Sequence, residues 1–250
     1  MPLQLSIATE DDIPQITKFQ FAAFHPENRM HRLIYPSPLP VPDSIISSTI
    51  QRTLKAWRED KEHITWVIIK DTDTKVKDLF GDGKEKDRVI AAAKWIIWPP
   101  GETLKEGETR WPDKIDAAWV KKSDDPEKPN FGNGAADDKE YVEWVMEEFF
   151  ERRRERIVGP AVLLDVCCTD PEYHRRGAGK MLVRWGTGKA DELGVKAFVE
   201  ASPEGRRLYE SCGFMMVEDV VLRGGKVNKK WEEYGEPDWG FMVREKRGKN

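Results

Sequence analysis

The sequence predicts an α/β protein, and three features carry that reading. Stretches with strand periodicity alternate with stretches of helical periodicity along most of the chain. A nearly unbroken apolar run, Ala161 to Thr169, is stopped by Asp170-Pro171 and leads through Gly177-Ala178-Gly179 into a helical pattern. Two long apolar strands, His63 to Lys70 and Val89 to Trp98, follow one another with no helix between them, which makes an antiparallel hairpin.

The elements follow in order. Leu3, Leu5 and Ile7 alternate with Gln4 and Ser6 as a half-buried strand does. Thr9 then caps a helix whose first turn is Glu10-Asp11-Asp12 and whose apolar stripe is Ile13, Ile16, Phe19 and Ala23. Residues 25 to 42, with prolines at 26, 36, 38, 40 and 42, read as a loop. A second helix starts at Asp43 or Ser44 and presents Ile46, Ile50, Leu54 and Trp57. In the hairpin, Asp71 to Asp87 reads as a polar connection, and Pro99-Pro100 ends the second strand. Residues 99 to about 140 are rich in Pro, Gly and charge, with Trp111 and Trp119 embedded. They read as an insertion that extends to 158 through a helix, Glu140 to Arg156. Val142, Val145, Met146 and Phe149 line that helix, and Glu151 to Arg156 reads as its solvated, charged end. After the central strand, Ala178, Met181, Leu182, Trp185 and Leu193 mark a helix. Lys196 to Ala201 is a strand. Ser202-Pro203-Glu204 caps a short helix, Arg206 to Cys212. Phe214 to Leu222 is a strand, 223 to 237 a polar loop, and Trp239 to Arg244 the last strand.

Composition sets limits. A chain of 250 residues that is 39% hydrophobic can bury a full core. A net charge of −4 gives no basis for a nucleic-acid surface. Three cysteines, two of them adjacent on a strand, form no disulfide framework and suit a reducing interior. No apolar run approaches the roughly 20 residues of a membrane helix, and the first residues lack a leader pattern. The expectation is a cytoplasmic protein with no membrane partner and no metal site.

The glycine loop is the most informative feature. The first turn of a helix carries backbone N–H groups without partners and the positive end of the dipole, so it attracts anions. Arg175, Arg176 and Lys180 add charge there, and Gly177 and Gly179 allow close approach. A diphosphate suits such a loop. A Walker loop is excluded because Met181 follows Gly179-Lys180 and the earlier glycine is missing. A Rossmann fingerprint is excluded because Leu182 stands at its third glycine position. His174-Arg175-Arg176-Gly177-Ala178-Gly179 resembles motif A of the GNAT acetyltransferases, Gln/Arg-x-x-Gly-x-Gly/Ala, with His174 as the departure. Leu208-Tyr209-Glu210-Ser211-Cys212-Gly213-Phe214 resembles motif B of the same family, a Tyr four residues before Gly-Phe.

The resemblance implies one GNAT domain over residues 1–250, interrupted by the insertion at about 99–158. Its sheet would be mixed and mostly antiparallel, with helices on both faces. It implies acetyl-CoA as co-substrate, its pyrophosphate held by His174, Arg175, Arg176, Gly177, Ala178, Gly179 and Lys180. Backbone groups of Cys167 and Thr169 would receive the pantetheine chain where the motif A strand parts from the next one. Ser202 stands where the family commonly has an Asn that contacts the cofactor. Tyr209 would be the general acid for the thiolate. Asp165 shares a strand face with Cys167 and Thr169 by alternation, and it or Glu200 on the next strand is the expected base. The first two helices and their connection border the acceptor in this family, which brings Phe21, Phe24, His25, His31 and Tyr35 forward, although each also suits an ordinary core or loop role. The function implied is transfer of an acetyl group to an amine, most simply a small molecule, by direct attack in a ternary complex. The alternatives are an acyl-CoA-binding module without turnover and an O-acetyltransferase. The insertion is expected to emerge beside the site and border the acceptor, with an ornament or a homodimer contact as its other uses.

Overall fold

In the computed structural model, residues 3–24, 27–37, 39–77, 83–102, 104, 110–112, 114, 117, 135 and 138–247 are described. His25, Trp119 and most of the charged stretch 121–137 lie outside them. Seven strands form one sheet in the order β1-β2-β3-β4-β5-β7-β6. They are β1 Leu3–Ile7, β2 Ile64–Lys77, β3 Glu85–Trp98, β4 Ala161–Thr169, β5 Lys196–Ala201, β6 Met215–Val221 and β7 Asp238–Arg244. Among the described residues only β4 and β5 pair in parallel, and the other neighbours in the sheet are antiparallel. The helices are α1 Ile13–Phe24, α2 Arg29–Ile34, α3 Asp43–Glu59, α4 Lys139–Arg156, α5 Ala178–Leu193 and α6 Arg206–Glu210.

Both faces of the sheet are covered. On one face, Ile13, Ile16 and Phe19 of α1 and Ile46, Ile50 and Trp57 of α3 pack on Ile68, Ala92, Ile96 and Leu163. On the other, Leu182, Val183 and Ala190 of α5 pack on Ile69, Ala93, Trp95 and Leu164. The fit on that second face is tight at Gly186, where an added Cβ would lie 2.2 Å from the Trp95 indole. A glycine there lets α5 settle onto a fully buried Trp95.

Several boundaries differ from the sequence reading for physical reasons. The proline-rich loop contains α2, capped by Asn28, whose side chain accepts from the His31 N–H at 2.8 Å. The β2–β3 hairpin runs on as a polar ribbon to Lys77 and back from Glu85, in residues with no apolar pattern to mark them. The 223–237 segment forms two 3-10 turns and buries Trp231. Around that ring gather Tyr141 and Trp144 of α4, and Asp138 accepts from Trp231 Nε1 at 3.0 Å and from the Tyr234 hydroxyl at 3.2 Å.

Two expectations about the insertion need correction. It leaves β3 at Trp98, which pairs with Ala161 at the start of β4, so it emerges at the opposite end of β4 from the glycine loop. The helix it carries, α4, then returns along the sheet. The charged end of α4 is also not uniformly solvated, because Arg153 is only 4% exposed.

Candidate active site

The site grows out of the parting of β4 and β5. Their parallel pairing runs from Ala161↔Lys196 to Leu164↔Val199 and stops. Beyond it β4 stays paired with β3 as far as Thr169↔Ala91, and β5 stays paired with β7 as far as Ala201↔Gly240. Residues 165–169 therefore present a strand edge to a gap rather than to a neighbour. Unpaired strand edges are ready-made partners for an extended ligand with amide groups.

At the end of β4 stands the glycine loop. Asp170 turns the chain by accepting from the Glu172 N–H at 3.1 Å, and it pairs with Arg88 at 2.9 Å. His174 donates from Nε2 to the Thr169 carbonyl at 3.1 Å, so it ties the loop back to the strand. Arg175 (φ 61°) and Gly177 (φ 86°) both occupy the left-handed region, which bends the loop around the first turn of α5. The two glycines divide the work. An added Cβ at Gly177 would meet nothing within 4 Å, whereas one at Gly179 would lie 3.2 Å from Leu208 and 3.7 Å from Thr169 Oγ1. Gly177 faces the open side; Gly179 makes room for α6 and β4. His174, Arg175 and Arg176 are exposed and Lys180 half-buried, so this helix start is both accessible and positive.

Tyr209 lies on the α5 side of the gap. It is buried on α6, and its ring covers Gly205, where an added Cβ would come within 2.8 Å of it. The Cys167 thiol lies close enough to its hydroxyl for each to perturb the other's ionisation. Burial, reinforced by the neighbouring thiols, pushes the Tyr209 hydroxyl well above its ordinary value. Burial likewise pushes the Cys167 thiol up to about 12. This face of the gap is therefore kept neutral and protonated. The expected Ser202 cap is not formed: Gly205 is the N-cap of α6, and Ser202 accepts from the Gly205 N–H in the turn before it, at 3.0 Å on its carbonyl and 3.4 Å on Oγ.

Asp165 is on the other face. Lys94 pairs with Val166 and Trp95 with Leu164, so Asp165 is the extra residue of a β-bulge. The bulge resets the alternation. Cys167 packs with the α5-side core, while Asp165 and Glu200 meet on the side of α1 and α4. The expected shared face of Asp165, Cys167 and Thr169 is thus broken.

Neither carboxylate stands alone. Arg153 of α4 donates from Nε to Glu200 Oε1 at 2.7 Å and from Nη2 to Glu200 Oε2 at 3.0 Å. The same Nη2 donates to Asp165 Oδ1 at 2.9 Å, and Lys94 Nζ takes Asp165 Oδ2 at 3.0 Å. Burial alone would raise the pKa of Asp165; Lys94 and Arg153 more than reverse this and hold it well below the usual carboxylate range. Beside this group lies Tyr35, whose ring has Arg52 over it at 5.2 Å. His31 is buried among Phe21, Phe24 and Tyr35 at centroid distances of 5.2, 5.2 and 4.9 Å.

Sequence reasoning missed Arg153, Lys94 and Gly205. Arg153 was findable: it stands four residues after Phe149, in register with the stripe Val142, Met146, Phe149. Nothing local marks Lys94, because its partner Asp165 comes from another strand, whereas Gly205 stands one helical turn before the Tyr209 that covers it.

A family profile described as the GNAT acetyltransferase family matches residues 89–214. That span holds most of β3, then β4, the glycine loop, α5, β5 and the Tyr209 helix, and the chain belongs to this family. Solved structures share the fold. Arylalkylamine N-acetyltransferase 2 from Aedes aegypti superposes with a TM-score of 0.61 at 9% identity, covering 99% of this chain and 100% of that one. An agmatine N-acetyltransferase gives 0.54 at 11%, covering 96% and 98%. A phosphinothricin acetyltransferase from Sinorhizobium meliloti, solved with acetyl-CoA, gives 0.50 at 16%, covering 98% and 88%. No curated protein sequence matches the chain. Among the described residues no helix is long and apolar enough to cross a membrane.

Proposed function

We propose that this chain is a single-domain, acetyl-CoA-dependent N-acetyltransferase that acts on a small-molecule amine. The observation that carries the reading is the coincidence of three features along one line: a positive helix start at the end of β4, an unpaired strand edge at 165–169, and a protonated Tyr209 beside that edge. Family membership and the acetyl-CoA complex of the S. meliloti relative support it. Relatives that carry arylalkylamine and agmatine N-acetyltransferase in their names favour nitrogen over oxygen as the acceptor atom.

In this reading the N–H groups of the loop and the first turn of α5 hold the pyrophosphate, with Arg175, Arg176 and Lys180 screening its charge. The pantetheine arm lies along β4 between Cys167 and Thr169. A β4 backbone N–H receives the carbonyl oxygen as it becomes an oxyanion. The amine approaches from the α1–α4 face and attacks the thioester carbon directly. Nitrogen gains the acyl group, the C–S bond breaks, and Tyr209 gives its proton to the leaving thiolate. Asp165 and Glu200 serve as electrostatic anchors rather than as the base. Both are occupied by Arg153, and Asp165, whose pKa is held low by Lys94 and Arg153, is a weak base. The amine is then deprotonated through solvent.

The test is thiol release from acetyl-CoA over a panel of amines and alcohols, with acetyl-CoA binding measured by calorimetry. Amine-dependent release supports the reading. Binding without release by any acceptor identifies a binding module, and release with alcohols alone identifies O-acetylation. Gly177→Val puts a branched side chain in the open space before the loop, and a fall of about tenfold or more in acetyl-CoA affinity is expected. Unchanged affinity would remove the loop from the cofactor site.

A further inference from the structure

We infer that Arg153, supplied by the insertion, is a positioning residue that clasps β4 to β5 and sets the mouth of the gap between them. Asp165 and Glu200 are the first residues past the last main-chain pair, Leu164↔Val199. At that point the backbone no longer fixes how far the two strands stand apart. Each strand presents a carboxylate there on the same face, and two like charges alone would drive the strands apart. One guanidinium lies between them, fork-on to Glu200 at 2.7 and 3.0 Å and reaching Asp165 at 2.9 Å. A planar fork bound on two sides fixes separation and orientation together, which a point charge does not.

The clasp is itself held rigid. The guanidinium carbon lies 4.7 Å from the Phe149 ring centroid and 4.8 Å from that of Trp111. Lys94 takes the second oxygen of Asp165, so two cations balance two anions. Arg153 stands on the opposite face of the sheet from Tyr209. The reactive end of the pantetheine arm would thus sit between a proton donor on one face and a strand clasp on the other. Arg153 acts through Asp165 and Glu200 rather than by touching substrate.

This role presupposes the acetyl-CoA reading above, and the experiment separates the two. Acetyl-CoA is varied at saturating amine, then amine at saturating acetyl-CoA, for wild type, Arg153→Lys and the double variant Arg153→Met/Glu200→Gln. The double variant removes one cation and one anion together and leaves the Lys94–Asp165 pair, which protects the fold; a melting curve checks it. The double variant is expected to raise KM for acetyl-CoA about tenfold or more while KM for the amine moves less. Arg153→Lys, which keeps the charge and loses the fork, is expected to fall between it and wild type. A wild-type KM for acetyl-CoA in either folded variant overturns the clasp. If wild type neither binds acetyl-CoA nor turns it over, the acetyl-CoA reading itself fails, and the clasp with it.

Discussion

The two faces of the β4–β5 gap handle polar groups in opposite ways. On the α5 face the groups are neutral and hold their protons: the Tyr209 hydroxyl and the Cys167 thiol are both pushed upward by burial. On the α4 face the groups hold each other as ion pairs: Lys94 with Asp165, and Arg153 with both Asp165 and Glu200. The same low polarity acts on both. Where no counter-charge is near, it keeps a group protonated; where counter-charges are in contact, it fixes the ions in place. A proton donor belongs on the first face and a geometric anchor on the second.

The largest effect expected from this contrast is at Tyr209. Tyr209→Phe keeps the ring packed on Gly205 and removes only the proton, so kcat should fall about 100-fold or more with acetyl-CoA affinity unchanged. Undiminished kcat would assign the proton to another donor and dissolve the contrast.

On the charged face the expected loss is in stability. Asp165→Asn leaves Arg153 and Lys94 short of a counter-charge, at a cost of about 3–5 kcal/mol by denaturant titration. The pKa of Asp165 is depressed in the fold, so its stabilisation is present above the unfolded value of about 3.9 and is lost as the pH falls further. The gap between wild type and variant should therefore be full at pH 5 to 8 and shrink below about pH 4. The acid limb of kcat/KM should stay where it is. A displaced limb with unchanged stability would make Asp165 the base after all.

The smallest effect lies away from both faces. His63 bridges Asp60 at 2.5 Å and Glu102 at 3.0 Å, tying α3 to the start of the insertion. Burial lowers its pKa, but the two carboxylates outweigh burial and raise it overall. A raised pKa stabilises the fold below the unfolded value of about 6.5, and that contribution is lost as the pH rises through the folded value. His63→Gln should cost up to about 1 kcal/mol at pH 6 and less at pH 8.5. An equal cost at both would show that the imidazole is held by packing rather than charge.

How much of this the sequence disclosed depended on whether the signal was local. Ala161–Thr169 and Lys196–Ala201 have the bounds their apolar runs suggest, and the glycine loop opens a helix and Tyr209 sits on a short one as their motifs suggest. The bulge at Asp165 was not legible, because one extra residue in a strand leaves no mark in composition yet turns every later side chain over. Arg153 was hidden in a run of charges that resembles a solvated helix end. Its burial follows from partners 12 and 47 residues away in sequence. The polar hairpin extension carries no apolar alternation, and α2, six residues within a proline-rich stretch, is too short to show a helical period.

The account rests most directly on what happens when enzyme and acetyl-CoA meet without an acceptor. Rapid mixing should release no thiol until amine is added, and Cys167→Ala should keep kcat within a few-fold, because a half-buried thiol with its pKa pushed up to about 12 by desolvation is no nucleophile. A burst of one thiol per enzyme without amine, abolished by Cys167→Ala and accompanied by an acetylated Cys167 in the mass spectrum, would contradict direct transfer in the gap.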